Sequence, residues 1–302
     1  QMQERFQRDD SSSQARESQD QDDDDRDADD DDPQAQLKWR DFLFDKVSGL
    51  DRKQFGTPDA LRANVLEEDW PQVRAYKPRN LPHASIGNLF KGREETMQSL
   101  AQELGRGKDA GSETCGVALH GLGGVGKSRL AVEYALKNES NYNALLFVTG
   151  NSQEELKTSL ASLGGAMVLD LPEKNILDLE VRLAAVIRWL QSNPGWLLLI
   201  DNVDSKEAAI AVEAMFANLA GGHVIVTSRV SDWSAQFSPI RVDALSALAA
   251  KELLLAETPA RRKSDDDDEV AGTLSERLGH LALALRQAGA YINQRRLPLG
   301  DY

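Results

Sequence analysis

The chain has 302 residues, with 35 Lys+Arg against 49 Asp+Glu and a formal charge of −14. Residues 1–36 alone hold 14 acidic and four basic side chains, a net −10, which leaves −4 for residues 37–302. Overall acidity argues against a nucleic-acid binder that relies on phosphate neutralisation, no apolar run reaches the ~18–20 residues of a membrane span, and the one cysteine, Cys115, excludes an internal disulfide or a cysteine-rich zinc site.

No N-terminal stretch has the charged-then-apolar pattern of a signal peptide, so a cytoplasmic location is the default expectation. The tail 1–36 offers almost nothing apolar to offset chain entropy and is expected to be disordered, either as a solvated, self-repelling leader or as a docking segment for a basic partner. Residues 37–75 carry thin helical spacing: Leu37, Phe42, Phe44, Val47 and Leu50, then Leu61, Val65 and Leu66 after the break at Gly56-Thr57-Pro58. Pro78, Pro82 and Gly87 mark residues 76–92 as a linker packed along the next domain.

From residue 93 the pattern is regular. A helix over about 93–105 and a polar loop lead to the apolar run Val117-Ala118-Leu119 and a glycine loop. The run opens at Cys115, where a buried small residue is the ordinary reading. A helix over about 127–138 precedes the run 144–148. Helices near 152–163 and 178–191 lead to 196–200, and a helix over 205–219 leads to 224–227. A last short run is 240–242. Short buried-type strands alternating with helices imply a parallel sheet covered on both faces. Helices over about 246–256, 267–278 and 281–295 follow without further strands. The acidic residues 265–269, after Arg261-Arg262-Lys263, read as an exposed, charge-balanced loop or helix start.

Gly121-Leu122-Gly123-Gly124-Val125-Gly126-Lys127-Ser128 matches the phosphate-binding pattern G-x-x-x-x-G-K-[ST], placed between a predicted strand and a predicted helix. Glycines allow successive backbone N–H groups, roughly 123–128, to face phosphate oxygens, and the helix that begins near Lys127 adds its positive end. Lys127 reaches the β- and γ-phosphates and the Ser128 hydroxyl ligates Mg²⁺. Gly121, Gly123, Gly124, Val125, Gly126, Lys127, Ser128 and Arg129 form the predicted nucleotide-binding stretch.

Asp201 follows five apolar residues and falls at the carboxyl edge of the sheet, where open α/β folds bind ligands. It is assigned to Mg²⁺, usually through a water; the alternative is a helix cap. Asp204 fits a cap better, before Ser205-Lys206-Glu207. Asn202 stands where hydrolytic relatives place a second acid; it can hold a water but cannot take its proton. Arg229, at the end of the 224–227 run, either contacts a γ-phosphate or makes a surface salt bridge. Lys127, Asp201, Asn202 and Arg229 are the candidate catalytic set.

These stretches together resemble the NB-ARC branch of the STAND class of P-loop ATPases, which includes plant immune receptors, the apoptosome scaffold and bacterial and fungal signalling proteins. The resemblance runs from about 85 to 302. Phe90-Lys91-Gly92-Arg93-Glu94 matches the class's opening motif, which in relatives lies against the adenine, so Arg93 is expected to line that pocket. The phosphate loop, the strand ending in Asp201 and Thr227-Ser228-Arg229 follow in family order, and 278–285 falls at the Gly-Leu-Pro-Leu-Ala motif that starts the ARC lid. Ala282 replaces the usual proline, which shifts the lid contact to the nucleotide towards neighbours such as His280 or Leu281. His280 itself reads as packed or solvent-facing rather than catalytic. Residues 287–292 place the chain nearer the bacterial and fungal branch, often coupled to tetratricopeptide repeats, than the plant branch.

The resemblance implies an α/β P-loop NTPase: a five-stranded parallel sheet with helices on both faces, then a partial helical lid. The expected organisation is a tail (1–36), a helical segment and linker from an upstream effector region (37–84), a nucleotide-binding domain (85–245) and an ARC-type lid (246–302) that continues past Tyr302. It implies ATP/ADP and Mg²⁺ as ligands, exchange controlling lid position and self-oligomerisation, and slow hydrolysis as reset; composition adds the expectation of no membrane partner and argues against a nucleic-acid partner. Two rivals stay open: a non-hydrolysing scaffold or ATP-bound transcriptional regulator, which Asn202 favours, and a metabolic kinase, for which no acceptor site is visible.

Overall fold

The computed structural model describes residues 77–105 and 114–302. The acidic tail, the helices expected within 37–75 and nearly all of the loop 106–114 lie outside the described residues.

Five parallel strands form one sheet: β1 (Cys115–His120), β2 (Ala144–Thr149), β3 (Trp196–Val203), β4 (Gly222–Ser228) and β5 (Phe237–Arg241), in the order β2-β3-β4-β1-β5. Alternate side chains leave the two faces of a strand, and both faces are apolar here, which is why the strands read as unbroken apolar runs. Leu146, Val148, Leu198, Ile200, Val224 and Val226 pack on α3 (Gln153–Ser162), α4 (Leu179–Ser192) and α5 (Lys206–Phe216). Their sequence neighbours Leu145, Leu197, Leu199 and Ile225 pack with Val117 and Leu119 on α1 (Glu94–Gly105) and α2 (Lys127–Lys137). The five-stranded α/β fold expected from the sequence is the one observed.

Boundaries differ where polar atoms intervene. β3 passes Asp201 and runs to Val203, because an irregularity between Ile200 and Val203 takes up the polar pair. Asn202 absorbs it with φ +62°, a conformation that Asn tolerates better than most residues. β5 starts three residues before the expected run, since buried Phe237 stacks between Phe216 at 4.6 Å and Trp233 at 5.0 Å. The intervening Ser238-Pro239 hides that apolar anchor from a search for runs. α5 is capped by Ser205, whose Oγ accepts from the Ala208 N–H, so Asp204 is released from the cap role the sequence suggested.

Residues 78–80 lie along β2. Pro78 O accepts from Leu145 N, Asn80 N donates to Leu145 O, and the Asn80 side chain makes a two-way pair with Phe147 N and O at 2.7 and 2.8 Å. Further on, the buried carboxylate of Glu133 in α2 accepts from Ser85 Oγ and Ile86 N at 2.7 and 2.8 Å. The segment is thereby tied to the helix that follows the glycine loop.

After β5 come α6 (Ala247–Glu257), α7 (Asp267–Arg277) and α8 (Ala282–Arg295), with their own core of Leu253, Leu254, Ala271, Leu285 and Ile292. α6 and α8 approach closely at Gly289, where an added Cβ would lie 2.6 Å from Glu257 Cβ. The acidic run becomes the start of α7, with Asp267 paired to Arg261 and Asp268 to Lys251, both at 2.9 Å. Acids in a first turn suit the positive helix end.

Trp196 is fully buried, donates from Nε1 to Leu190 O at 2.8 Å, and lies over Gly222, where an added Cβ would come within 2.2 Å of its ring. Gly222→Ala is therefore expected to destabilise the fold by about 1–3 kcal/mol through overpacking, read as a lowered denaturation midpoint.

Candidate functional site

The glycine loop leaves β1 under a tight steric rule. At Gly121 (φ +147°) a Cβ would stand 2.3 Å from Val242 O, so only glycine lets the chain pass the end of β5. Gly124 and Gly126 also have positive φ, +79° and +101°, and Gly126 is the residue before α2, with Leu130 N donating to its carbonyl at 2.8 Å. The loop then opens into a cavity of about 360 Å³, within the range of small-molecule sites.

The carbonyls of the loop are held from outside. Lys127 Nζ donates to Gly121 O and Leu122 O, both at 2.9 Å. Arg93, almost fully buried, donates from Nη2 to Val125 O at 2.7 Å. Leu283 N, in the first turn of α8, donates to Gly124 O at 3.0 Å. Burial lowers the pKa of Lys127; the Arg229 charge lowers it further, while Asp204 and, to a lesser degree, Asp201 oppose the shift. Burial likewise lowers that of Arg93, against the charge of Asp243.

Of the predicted residues, Arg93, Gly123, Gly124, Val125, Gly126, Lys127, Ser128, Arg129, Asn202, Arg229 and Ala282 all border the cavity. Gly121 and Asp201 are not among its walls. Gly121 packs on the backbone just beyond β5, and Asp201, 9% exposed, accepts from Thr227 Oγ1 at 2.5 Å. Thr227 Oγ1 in turn accepts from Asn202 N at 3.1 Å, so β4 fixes the β3 irregularity. Arg129 donates to Ala84 O at 2.9 Å and lies 3.7 Å from Glu133.

Three features escape a reading of the sequence. Asp204 borders the cavity and pairs with Arg229 rather than capping α5. In α8, Leu283 and Arg286 face the cavity, whereas His280 and Leu281 in the turn before it do not border it. His280 (φ +53°) follows Gly279 (φ +63°) in the turn into α8 and accepts from Leu245 N through its carbonyl. Glu133 is a buried acid for which the sequence offers only Arg129, one turn before it, whereas its hydrogen-bond donors Ser85 and Ile86 sit 48 and 47 residues away.

A glycine loop followed by a helix start, a lysine in the cavity wall and a strand-end acid nearby form a donor set suited to phosphate groups and a hard cation. Among the described residues, no cluster of three or more His, Cys, Asp or Glu could hold a metal.

The NB-ARC domain family matches residues 93–262, more than half of the chain. The chain belongs to the NB-ARC family. An NB-ARC domain is a nucleotide-binding P-loop domain, and the cavity opens above its glycine loop. A nucleotide-binding leucine-rich repeat (NLR)-like protein of Hyaloscypha variabilis is 24% identical over 254 residues, 76% of this chain and 25% of that relative. The chain thus spans a quarter of the relative's length. Among solved structures, a Thermotoga maritima RuvB mutant is 16% identical with a TM-score of 0.44, over 66% of this chain and 62% of that one. An Aeropyrum pernix ORC1 protein in complex with DNA is 18% identical with a TM-score of 0.49, over 68% and 62%. No helix among the described residues of this NB-ARC chain is long and apolar enough to cross a membrane.

The bond from Arg93 to Val125 O makes that side chain a brace of the phosphate loop. Arg93→Ala is expected to lower unfolding stability by about 1.5–3 kcal/mol, the loss of a charge-assisted bond. Denaturant unfolding without added nucleotide measures this; an unchanged midpoint would assign Arg93 to ligand contact alone.

Proposed function

We propose that this NB-ARC domain is an ATP/ADP-operated switch within a longer signalling protein, in which lid position follows the state of the bound phosphates. The observation that carries this reading is the bond from Leu283 N to Gly124 O at 3.0 Å. It seats the first turn of α8 directly on the phosphate loop, with Ala282 Cβ 3.8 Å from where a Gly126 Cβ would stand. A change at the loop therefore reaches α8 through one backbone bond and the side chains beside it.

In this reading Lys127 exchanges loop carbonyls for β- and γ-phosphate oxygens, and the amides of residues 123–128 receive the remaining phosphate charge. Ser128 and Asp201 hold the Mg²⁺ that neutralises charge between the phosphates, Asp201 from behind the cavity wall through a water. Arg229 addresses the γ-phosphate and so distinguishes the two nucleotides. Arg93 and the hydrophobic wall formed by Phe90, Leu245 and Leu253 take the base end. Nucleotide exchange shifts the lid only by the difference in affinity between its two positions. Release of the lid permits self-oligomerisation, and slow hydrolysis resets the domain. The match to a quarter of an NLR-like relative supports a place in a longer NLR-like protein; a role in defence-type signalling in the cytoplasm is part of the same proposal.

A second reading, a scaffold that holds nucleotide without turnover, is favoured by Asn202, which offers no carboxylate to a water. The nucleotide carried by purified protein, identified by chromatography, and Mg²⁺-dependent phosphate release separate the two. Lys127→Ala is expected to weaken ATP and ADP binding about 10- to 100-fold, the loss of one charge-assisted contact, and to abolish phosphate release. Retained nucleotide with no release above that variant would leave the scaffold; absence of any nucleotide binding would overturn both.

A further inference from the structure

Asp204 has no place in the site as read from motifs, yet it grips Arg229 twice. Its Oδ1 accepts from the Arg229 backbone N–H at 2.9 Å, and its Oδ2 lies 3.0 Å from Arg229 Nε. Both residues border the cavity. With Nε engaged, the guanidinium is left with its two terminal nitrogens to present elsewhere, and Nη2 lies 3.5 Å from where a Gly123 Cβ would stand. The arginine is thus laid across the phosphate loop, although its side chain is 66% exposed and would otherwise be free to rotate into solvent.

Asp204 is also the carboxylate whose charge acts most strongly on Lys127, ahead of Asp201. Its own position is fixed by the chain: Asp204 N donates to Asn202 O at 3.0 Å, and the next residue, Ser205, caps α5. A carboxylate held between a strand end and a helix cap is a rigid anchor for a long cation that must adopt one rotamer.

We propose that Asp204 is the positioning residue that turns Arg229 into a γ-phosphate reporter: it holds Nε and the backbone N–H, and aims the Nη pair at the third phosphate of a nucleoside triphosphate. This deepens the switch reading above and rests on it. On this proposal only the third phosphate meets these nitrogens, so Asp204 sets the preference between tri- and diphosphate without itself touching the ligand. The ordering of Arg229 is established before binding, which removes the side-chain entropy cost that a mobile arginine would add at that moment.

The experiment compares the affinities of full-chain protein for the β,γ-imido analogue of ATP and for ADP, each with Mg²⁺, in wild type, Asp204→Asn, Arg229→Gln and the double variant. Asparagine keeps the size of the aspartate but loses the charge and one acceptor. Asp204→Asn is expected to weaken the triphosphate analogue about tenfold, the worth of a charge-assisted contact, while ADP affinity changes by less than about twofold. The double variant is expected to match Arg229→Gln alone, because the two act as one unit. Asp204→Glu, which retains the charge on a longer arm, is expected to recover part of the preference.

Equal weakening of both nucleotides would overturn the proposal, since a merely structural role moves them together. Tighter triphosphate binding in Asp204→Asn would overturn it too, by making Asp204 a competitor of the phosphate for Arg229. Additive losses in the double variant, or no change in preference in Arg229→Gln, would equally remove the link. The outcomes in Asp204→Asn and in the double variant fall on Asp204 alone; an unchanged preference in Arg229→Gln also removes the role given to Arg229 in the switch reading, and a wild type that binds neither nucleotide would take that whole reading with it.

Discussion

The architecture of the candidate site depends on where the carbonyls of one glycine loop are pinned. A backbone that presents several N–H groups to one side must dispose of its C=O groups on the other, and each buried one needs a donor. Here the donors come from different parts of the chain: Lys127 for Gly121 and Leu122, Arg93 for Val125, Leu283 for Gly124, and the first turn of α2 for Gly126. The opening motif, the loop lysine and α8 are thus fastened to one loop by the same kind of bond. None of them can shift without leaving a carbonyl to be satisfied otherwise.

A second constraint acts at the adjoining strand ends. β3 and β4 finish in a small polar lattice in which Thr227 Oγ1 donates to Asp201 and accepts from Asn202 N, while Ser228 Oγ donates to Val203 O. This lattice adjoins the cavity wall and sets the angle at which the residues after β3 emerge. It also gives Asn202 a structural reason: the irregularity asks for a left-handed residue, and asparagine meets that demand while giving up a carboxylate.

Much of this is legible from residues alone. Runs such as Trp196 to Ile200 and Val224 to Thr227 declare buried parallel strands because both their faces are covered, and the glycine loop announces itself by a spacing that few other structures need. What stays hidden depends on long-range pairing. Nothing near Asp204 in sequence says that its partner is Arg229, 25 residues on, and the adjacent Ser205 makes a cap seem the natural role. The missing proline draws attention to His280 and Leu281 for the lid contact; helix geometry instead turns Leu283 and Arg286 towards the cavity. Asp201 stands at the strand end where its apolar run places it, but burial behind Thr227 keeps it out of the cavity wall.

The two margins of the sheet have a further consequence. Leu145 and Phe147 spend the outward backbone groups of β2 on Pro78 and Asn80, and at the opposite margin β5 contains Pro239, which has no N–H to offer. An exposed strand is the usual template on which a neighbouring molecule adds a strand of its own. With one margin covered and the other interrupted, copies of this domain are steered away from joining sheet to sheet. Among the described residues, contact surface is offered by side chains on the helical faces and the cavity rim rather than by an open strand margin.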